Sequence, residues 1–221
     1  MTTIAPAQLA DMIGSIARRI LSERDRLNRL DAALGDGDHG TSVSAAFAAA
    51  ATDIAELKQP SAGDIWLATA KAVMNRMGGA SGAIFGTFFL KGAGHLRGIE
   101  RVGKSDMEAV LQAGLQGVKA RGKAEVGDKT MVDALEPAVT AFCGADEFAG
   151  AWTRATEAAR EGAESTRELV ARRGRAKYLS ERAIGHVDPG ASSIAVIFEA
   201  VDDWWGANPT PSTLQFEEAE H

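Results

Sequence analysis

Apolar residues recur at spacings of three and four along most of the chain, and the alternation that marks strands is scarce. In the first long segment, Leu9, Ile13, Ile16 and Ile20 form one such apolar stripe. This pattern and an alanine-rich composition predict an all-α protein. The predicted helices cover about residues 6–34, 40–57, 61–77, 83–96, 105–121, 127–138, 145–173 and 189–204.

Start and stop signals set several of these boundaries. Ser61 and Ser105 are each followed three residues later by an acidic residue, which predicts capping boxes at the third and fifth helices. Asp128 is the expected N-cap of the sixth helix, which Pro137 would kink. Pro189 suits the first turn of the eighth helix. The stretch SSIAVIF alone would also fit a strand, but the longer apolar pattern favours a helix.

Short connections make successive helices antiparallel neighbours, so the loops before the even-numbered helices are expected at one end of the molecule. Each of these four loops is rich in glycine, and each can aim backbone N–H groups at an anion. Their sequences are LGDGDHGTS, MGGASGA, RGKAEVGDKT and RRGRAKYLSERAIGHVDPGASS. We therefore expect a shared anion site where they converge.

The first loop crowds Asp31, Asp36 and Asp38 into flexible backbone. Two carboxylates about 4 Å apart repel by ~4 kcal/mol at the effective dielectric of a protein surface. Each aspartate alone would often cap a turn or face solvent, but together they predict a cation site. The spacing fails the EF-hand pattern, and carboxylates with few further protein ligands favour magnesium.

The other loops offer groups for phosphate. His39, at the predicted start of the second helix, is expected to contact phosphate. Lys123 and Lys129 are expected to be solvent-exposed, with phosphate contact as the alternative, because their loop has one residue too many for a P-loop and follows no strand. The basic residues around Arg175 form either a solvated helix end or a site for a nucleotide or an acidic partner.

Bulk composition narrows the function classes. The formal net charge of -6 gives no diffuse basic surface, which argues against nucleic-acid binding. The single cysteine, Cys143, allows no intrachain disulfide. The sequence shows no secretory signal and no apolar run long enough to span a bilayer, so we expect a cytoplasmic protein without membrane partners. We expect one domain over residues 1–205 and a flexible acidic tail over 206–221.

Four motifs stand in order between about residues 30 and 200: LDAALGDGDHGTS, GGASGAIFGTFF, GKAEVGDKTMVDALEPA and GRAKYLSERAIGHVDPGASS. In order and spacing they resemble the nucleotide-binding L subunit or domain of the dihydroxyacetone kinase family. The resemblance implies a DhaL-type domain: a closed barrel of eight antiparallel up-and-down helices, with ADP or ATP and two magnesium ions at one end.

The same resemblance implies roles for individual residues. The magnesium ligands would be Asp31, Asp36 and Asp38. The nucleotide site would comprise His39, Gly40, Thr41, Ser42, Ala80, Ser81, Gly122, Met131, Arg175, Asp188, Pro189 and Gly190. No catalytic general base is assigned to this chain, because the family analogy places it on the partner.

The resemblance also implies a partner. In this family a separate K subunit holds dihydroxyacetone or a related short keto sugar, and the L component donates the phosphoryl group. ATP is exchanged in one branch; in the other, bound ADP is rephosphorylated by a phosphohistidine protein of the phosphotransferase system. A different class of function is also open, namely a non-catalytic nucleotide sensor that engages a regulatory protein.

Overall fold

The computed structural model describes residues 2–208, in which the chain forms eight α-helices and two short strands. The helices are α1 (Pro6–Leu34), α2 (His39–Ala55), α3 (Ala62–Arg76), α4 (Gly79–His95), α5 (Lys104–Gly122), α6 (Val132–Cys143), α7 (Phe148–Ser165) and α8 (Pro189–Ala207). The strands are β1 (Thr3–Ile4) and β2 (Val102–Gly103). The prediction of an all-α protein is confirmed.

The helices pack in the order of the sequence. Each one contacts the next, and α8 returns to contact α1. The strands β1 and β2 pair antiparallel, with Thr3 opposite Gly103, and tie the amino terminus to the α4–α5 connection. Sequence reasoning predicted no strand, because two residues are too few to show a period.

Local signals placed several helices correctly. The first helix begins at Pro6 and ends at Leu34, as its apolar stripe predicted. The capping box at α3 is present: the Ser61 hydroxyl accepts from the Asp64 amide, and the Asp64 carboxylate accepts from the Ser61 amide. The predicted start of α8 at Pro189 is also correct, and Asp188 caps it through the amide of Ala191.

The predicted start of α5 is wrong. The helix begins at Lys104, and the carboxylate of Asp106 accepts from the Gly103 amide. Glu108, the expected partner of Ser105, instead pairs with Lys104. The bond between Asp106 and Gly103 joins residues three apart, so it is a local start signal that competes with the Ser105–Glu108 spacing.

The predicted start of α6 is also wrong, because Asp128 is not its N-cap. The chain at Gly127 and Lys129 has φ of 95° and 60°, both in the left-handed region that ends helical backbone. The carboxylate of Asp133 accepts from the amides of Gly127 and Thr130 and closes this turn. The helix proper runs from Val132 to Cys143, with Pro137 inside it, and so ends beyond the predicted residue 138.

Further boundaries differ from prediction, among them the start of α4 and the end of α7. Helix α4 begins at Gly79, four residues before the predicted start. Helix α7 ends at Ser165 instead of continuing to residue 173, and 3-10 segments at 166–168 and 175–183 follow. The reason lies at Thr166, whose hydroxyl bonds to the Ala163 carbonyl and also accepts from the Asp188 amide, so the chain turns towards α8.

The core is one large apolar cluster between the helices, to which all four tryptophans belong, and a smaller cluster of Leu34, Ala171, Ala176 and Ala183 lies apart from it. Trp152 packs on Phe142 with ring centroids 4.6 Å apart, and the ring centroids of Phe148 and Trp205 lie 4.4 Å apart. None of the helices in residues 2–208 combines the length and apolar character needed to cross a membrane. Most of the predicted tail, residues 209–221, lies outside the described residues.

Candidate functional site

Residues from all four glycine-rich loops line one cavity of about 570 Å³. Most of the sequence-predicted site residues lie there: Asp31, Asp36, Asp38, His39, Ser42, Ala80, Ser81, Gly122, Met131, Arg175, Asp188, Pro189 and Gly190. The volume falls in the range of small-molecule sites. The loops before α2, α4, α6 and α8 therefore meet at one place.

Gly40 and Thr41 do not line this cavity. They face α1, where the Thr41 amide donates to the Asn28 side-chain oxygen and the Asn28 amide group donates to the Thr41 hydroxyl, both at 2.9 Å. A Cβ atom at Gly40 would lie 2.0 Å from the Arg24 carbonyl oxygen. These two residues join α1 to α2 and support the site from behind.

The three aspartates form a cluster with metal-ligand geometry. Asp31, Asp36 and Asp38 each offer a carboxylate oxygen, and these oxygens lie within 4.8 Å of one another. Hard oxygen donors in this number suit magnesium, which usually keeps water and phosphate oxygens in its remaining positions. Asp36 also forms an ion pair with Arg175, which offsets part of the repulsion among the carboxylates.

Asp31 has a second task in building the loop. One of its carboxylate oxygens accepts from the amides of Gly37, Asp38 and His39, at 2.9, 3.0 and 3.2 Å. The loop therefore folds around this carboxylate, and the other two aspartates are carried on its rim. Glycine at position 37 suits the local φ of 78°.

His39 is held against α8 by a hydrogen bond. Its Nε2 lies 2.7 Å from the Ser193 hydroxyl, which itself donates to the Pro189 carbonyl. With the hydroxyl proton used in that bond, Nε2 is assigned as the donor to Ser193. Burial lowers the pKa of His39 below its usual value, and the Asp31 carboxylate opposes this only in part.

The four helix starts differ in how free their backbone amides are. At α2 the amides of His39 and Thr41 already donate to side chains, at α6 the Val132 amide donates to the Thr130 hydroxyl, and at α8 Asp188 accepts from Ala191. At α4 the N-cap is Gly78, and no side chain caps the first turn. Ala80 and Ser81 in that turn are exposed and line the cavity. This start is therefore the best placed to donate to an anion.

A polar network that sequence reasoning missed lies at the cavity wall, which Lys129 and Thr130 help to line. Lys129, expected to be exposed, is 1% exposed, and its ammonium donates to the backbone carbonyls of Thr166 and His186. Asp133 is also buried. Its spacing from Thr130 matches a capping box, a signal that could have revealed it. For Lys129 the local sequence carries no such signal.

The fourth loop is divided between the cavity and solvent. Arg172, Arg173, Arg175 and Lys177 line the cavity, whereas His186 is exposed and lies outside it. Burial raises the pKa of the Asp188 carboxyl to about 7, although its bond from the Ala191 amide lowers it. The cavity thus combines carboxylates at one wall with guanidinium groups at another, an arrangement that suits a metal-bound polyphosphate.

A second cavity, of about 690 Å³, lies between α5 and α6 near His95, Gln112 and Cys143. The part of the chain that the structure describes places its one candidate metal cluster in the first cavity. The loop cavity is therefore the candidate site on chemical grounds.

Comparisons with known proteins agree with this site. The DAK2 domain family matches residues 33–203. The chain is 34% identical over 190 residues to the ADP-binding subunit DhaL of PEP-dependent dihydroxyacetone kinase 1 from Listeria innocua, covering 86% of this chain and 91% of the relative. It is 35% identical over 182 residues to the corresponding Escherichia coli subunit, covering 80% and 87%.

A solved structure is also similar. The dihydroxyacetone kinase from C. freundii in complex with AMP-PNP and Mg²⁺ matches with a TM-score of 0.72 and 30% identity. The match covers 92% of this chain and 35% of that kinase chain.

Proposed function

Because the chain belongs to the DAK2 domain family, we propose that it is the nucleotide-binding, phosphoryl-donating subunit of a kinase for dihydroxyacetone or a related short keto sugar. It is a phosphotransferase that acts together with a separate K subunit, which holds the keto substrate. The observation that carries this proposal is the aspartate cluster in a cavity shared by four helix-start loops.

The carboxylates of Asp31, Asp36 and Asp38 would hold two magnesium ions. When bound, magnesium neutralises phosphate charge and orients the transferred group. The other contacts to the phosphate groups come from residues of the chain itself. The uncapped start of α4 at Ala80 and Ser81 donates amide N–H groups to phosphate oxygens. The ion pair of Asp36 with Arg175 and the bonds from backbone amides to Asp31 hold these carboxylates in place.

The rest of the cavity would hold the nucleotide. His39, Ser42, Gly122, Met131, Arg175, Asp188, Pro189 and Gly190 line it. Met131 supplies an apolar surface, and the guanidinium of Arg175 can bind phosphate bidentately. Gly40 and Thr41 contribute by fixing the start of α2 against α1.

The arrangement of the eight helices is part of the same proposal. Sequential helix packing, with α8 against α1, supports a closed barrel of eight antiparallel helices that has the nucleotide site at one end. We propose residues 1–205 as this domain and a cytoplasmic location. The names of the relatives, which are PEP-dependent, support rephosphorylation of bound ADP by a phosphohistidine protein of the phosphotransferase system.

Reconstitution tests the proposal. The chain, a cognate K subunit, dihydroxyacetone, magnesium and either ATP or a phosphohistidine donor should yield dihydroxyacetone phosphate. Asp36→Asn should lower the rate at least about 100-fold, equivalent to about 2.7 kcal/mol in the barrier. Asp53→Asn, an exposed carboxylate on α2, is the matched control and should leave the rate unchanged.

Activity that survives replacement of all three aspartates would overturn the kinase proposal. Nucleotide binding without turnover, in the presence of an active K subunit, would instead favour the sensor alternative.

A further inference from the structure

Lys129 carries a charge that the proposed reaction does not use. Its side chain is among the largest that are fully buried, and its ammonium donates to two neutral backbone carbonyls, those of Thr166 and His186. A buried ammonium is tolerated only where such hydrogen bonds replace water. Burial accordingly lowers the pKa of Lys129.

The two acceptors lie at opposite ends of the connection between α7 and α8. Further bonds join the same ends: the Asp188 amide donates to the Thr166 hydroxyl, and the Gly185 amide donates to the Arg167 carbonyl, both at 2.8 Å. We call this junction of residues 166–167 with 185–188 the neck. The side chain of Lys129 reaches it from the α5–α6 loop and bonds to both of its segments.

The neck determines where two walls of the cavity lie. On its carboxyl side α8 begins, and Asp188, Pro189 and Gly190 line the cavity. On its amino side, the connection between α7 and α8 lines the cavity with Arg173 and Arg175. This part is also attached to the residue before Lys129, because the Arg172 amide donates to the Asp128 carbonyl at 3.0 Å.

The backbone at Lys129 supports a role for its side chain. Its φ of 60° lies in the left-handed region, which glycine or asparagine adopts more readily. Lys123 in the same loop has φ of 50° and is exposed, so the backbone conformation does not require burial of a lysine.

We propose that Lys129 is a positioning residue for nucleotide binding: it clamps the neck, so that the start of α8 and the arginine segment face the bound nucleotide. The identity of the ligand rests on the proposed function. The rival interpretation is that the Lys129 ammonium contacts phosphate directly, as the lysine of a P-loop does.

Hydrogen exchange and nucleotide titration together test the clamp in the full chain. In Lys129→Met, the amides of residues 167–188 should exchange at least tenfold faster in the nucleotide-free protein, and the Kd for ADP with magnesium should rise at least tenfold. Lys123→Met is the matched control and should change neither. Thr166→Val removes the hydroxyl that accepts from Asp188 and should shift both measurements in the direction of Lys129→Met.

Two results would overturn the clamp. A weaker Kd with unchanged exchange would mean direct phosphate contact, and faster exchange with an unchanged Kd would mean a purely structural lysine. If Lys129→Met does not fold, Thr166→Val decides by the same two criteria. If the wild-type chain fails to bind ADP with magnesium, the proposed function is overturned, and the exchange rates still decide whether Lys129 holds the neck.

Discussion

The three clustered aspartates, Asp31 at the end of α1 and Asp36 and Asp38 in the following loop, differ in their tasks. Asp31 accepts from three backbone amides and so shapes the loop, whereas Asp36 is exposed and pairs with Arg175. Replacing Asp31 would disturb both the loop and the metal site. A loss of function in Asp36→Asn is therefore the more direct evidence for metal binding.

Burial of Asp188 makes the stability of the folded protein depend on pH. Its pKa is raised from 3.8 to about 7, so between these values the folded state binds more protons than the unfolded state. The stabilising contribution is complete below pH 3.8 and is lost as the pH rises through about 7. At about 1.4 kcal/mol per unit, the free energy of unfolding falls by up to about 4 kcal/mol across this window.

Asp188→Asn isolates this effect, because asparagine keeps a side-chain oxygen for the Ala191 amide. Urea unfolding of the nucleotide-free proteins should show the variant gaining stability relative to wild type from about pH 4 to about pH 7, with no further change above about pH 7.5. Asp53→Asn should show a flat difference. A flat difference for Asp188→Asn would contradict a raised pKa.

At the scale of elements, α1 and α2 approach closely at Gly40. A Cβ there would lie 2.0 Å from the Arg24 carbonyl oxygen and 2.9 Å from the Asn28 side-chain oxygen. Gly40→Ala should therefore lower the free energy of unfolding by about 1–3 kcal/mol, as overpacking does. Thermal or urea unfolding followed by circular dichroism measures this change.

Gly150 supplies the control, because it is exposed on α7 and a methyl group added there would have nothing within 4 Å. Gly150→Ala should raise stability by about 0.5–1 kcal/mol, because alanine loses less backbone entropy in a helix. Equal effects of the two substitutions would show that α1 and α2 are not in close contact at Gly40.

The elements also show what a sequence can predict. The capping box at Ser61 was predictable because its bonds join residues three apart. The start of α5 was missed because two such spacings compete there, and the bond forms between Gly103 and Asp106 instead of at Ser105. The end of α7 was missed for a different reason, since Thr166 is bonded to the distant Asp188.

The residues of the site also fall into those that the sequence could predict and those that it could not. The aspartate cluster was predictable because all three residues fall within one short stretch of sequence, at the end of α1 and in the loop that follows it. The role of Lys129 was not, because its acceptors lie 37 and 57 residues further along the chain. Local chemistry can be inferred from the sequence, whereas burial that results from long-range packing has to be observed.

At the scale of the whole molecule, the residues that form the core and the charged residues of the site lie in different parts of the structure. The helices bury one apolar core, while the four loops before α2, α4, α6 and α8 carry the charged groups to one cavity. Although the chain has a net charge of -6, six basic residues line this cavity: Arg121, Lys129, Arg172, Arg173, Arg175 and Lys177. Such a local positive wall favours an anionic ligand despite the acidic surface elsewhere.

This arrangement predicts a tightly held nucleotide. The ligand would be bound through metal by the aspartates, by free amides at the start of α4, and by the basic residues of the fourth loop, so its dissociation should be slow. Native mass spectrometry of the freshly purified chain should therefore show one ADP with two magnesium ions. Chelation of magnesium should release the nucleotide, and Asp36→Asn should be purified without it.

The same spectrum separates the two routes of phosphoryl supply. Retained ADP means that the nucleotide acts as a resident carrier that a phosphohistidine protein must recharge in place, in agreement with the PEP-dependent relatives. A wild-type chain purified empty, yet able to bind added ATP, would instead mean exchange of nucleotide at each turnover. One bound magnesium in place of two would limit the three aspartates to a single ion.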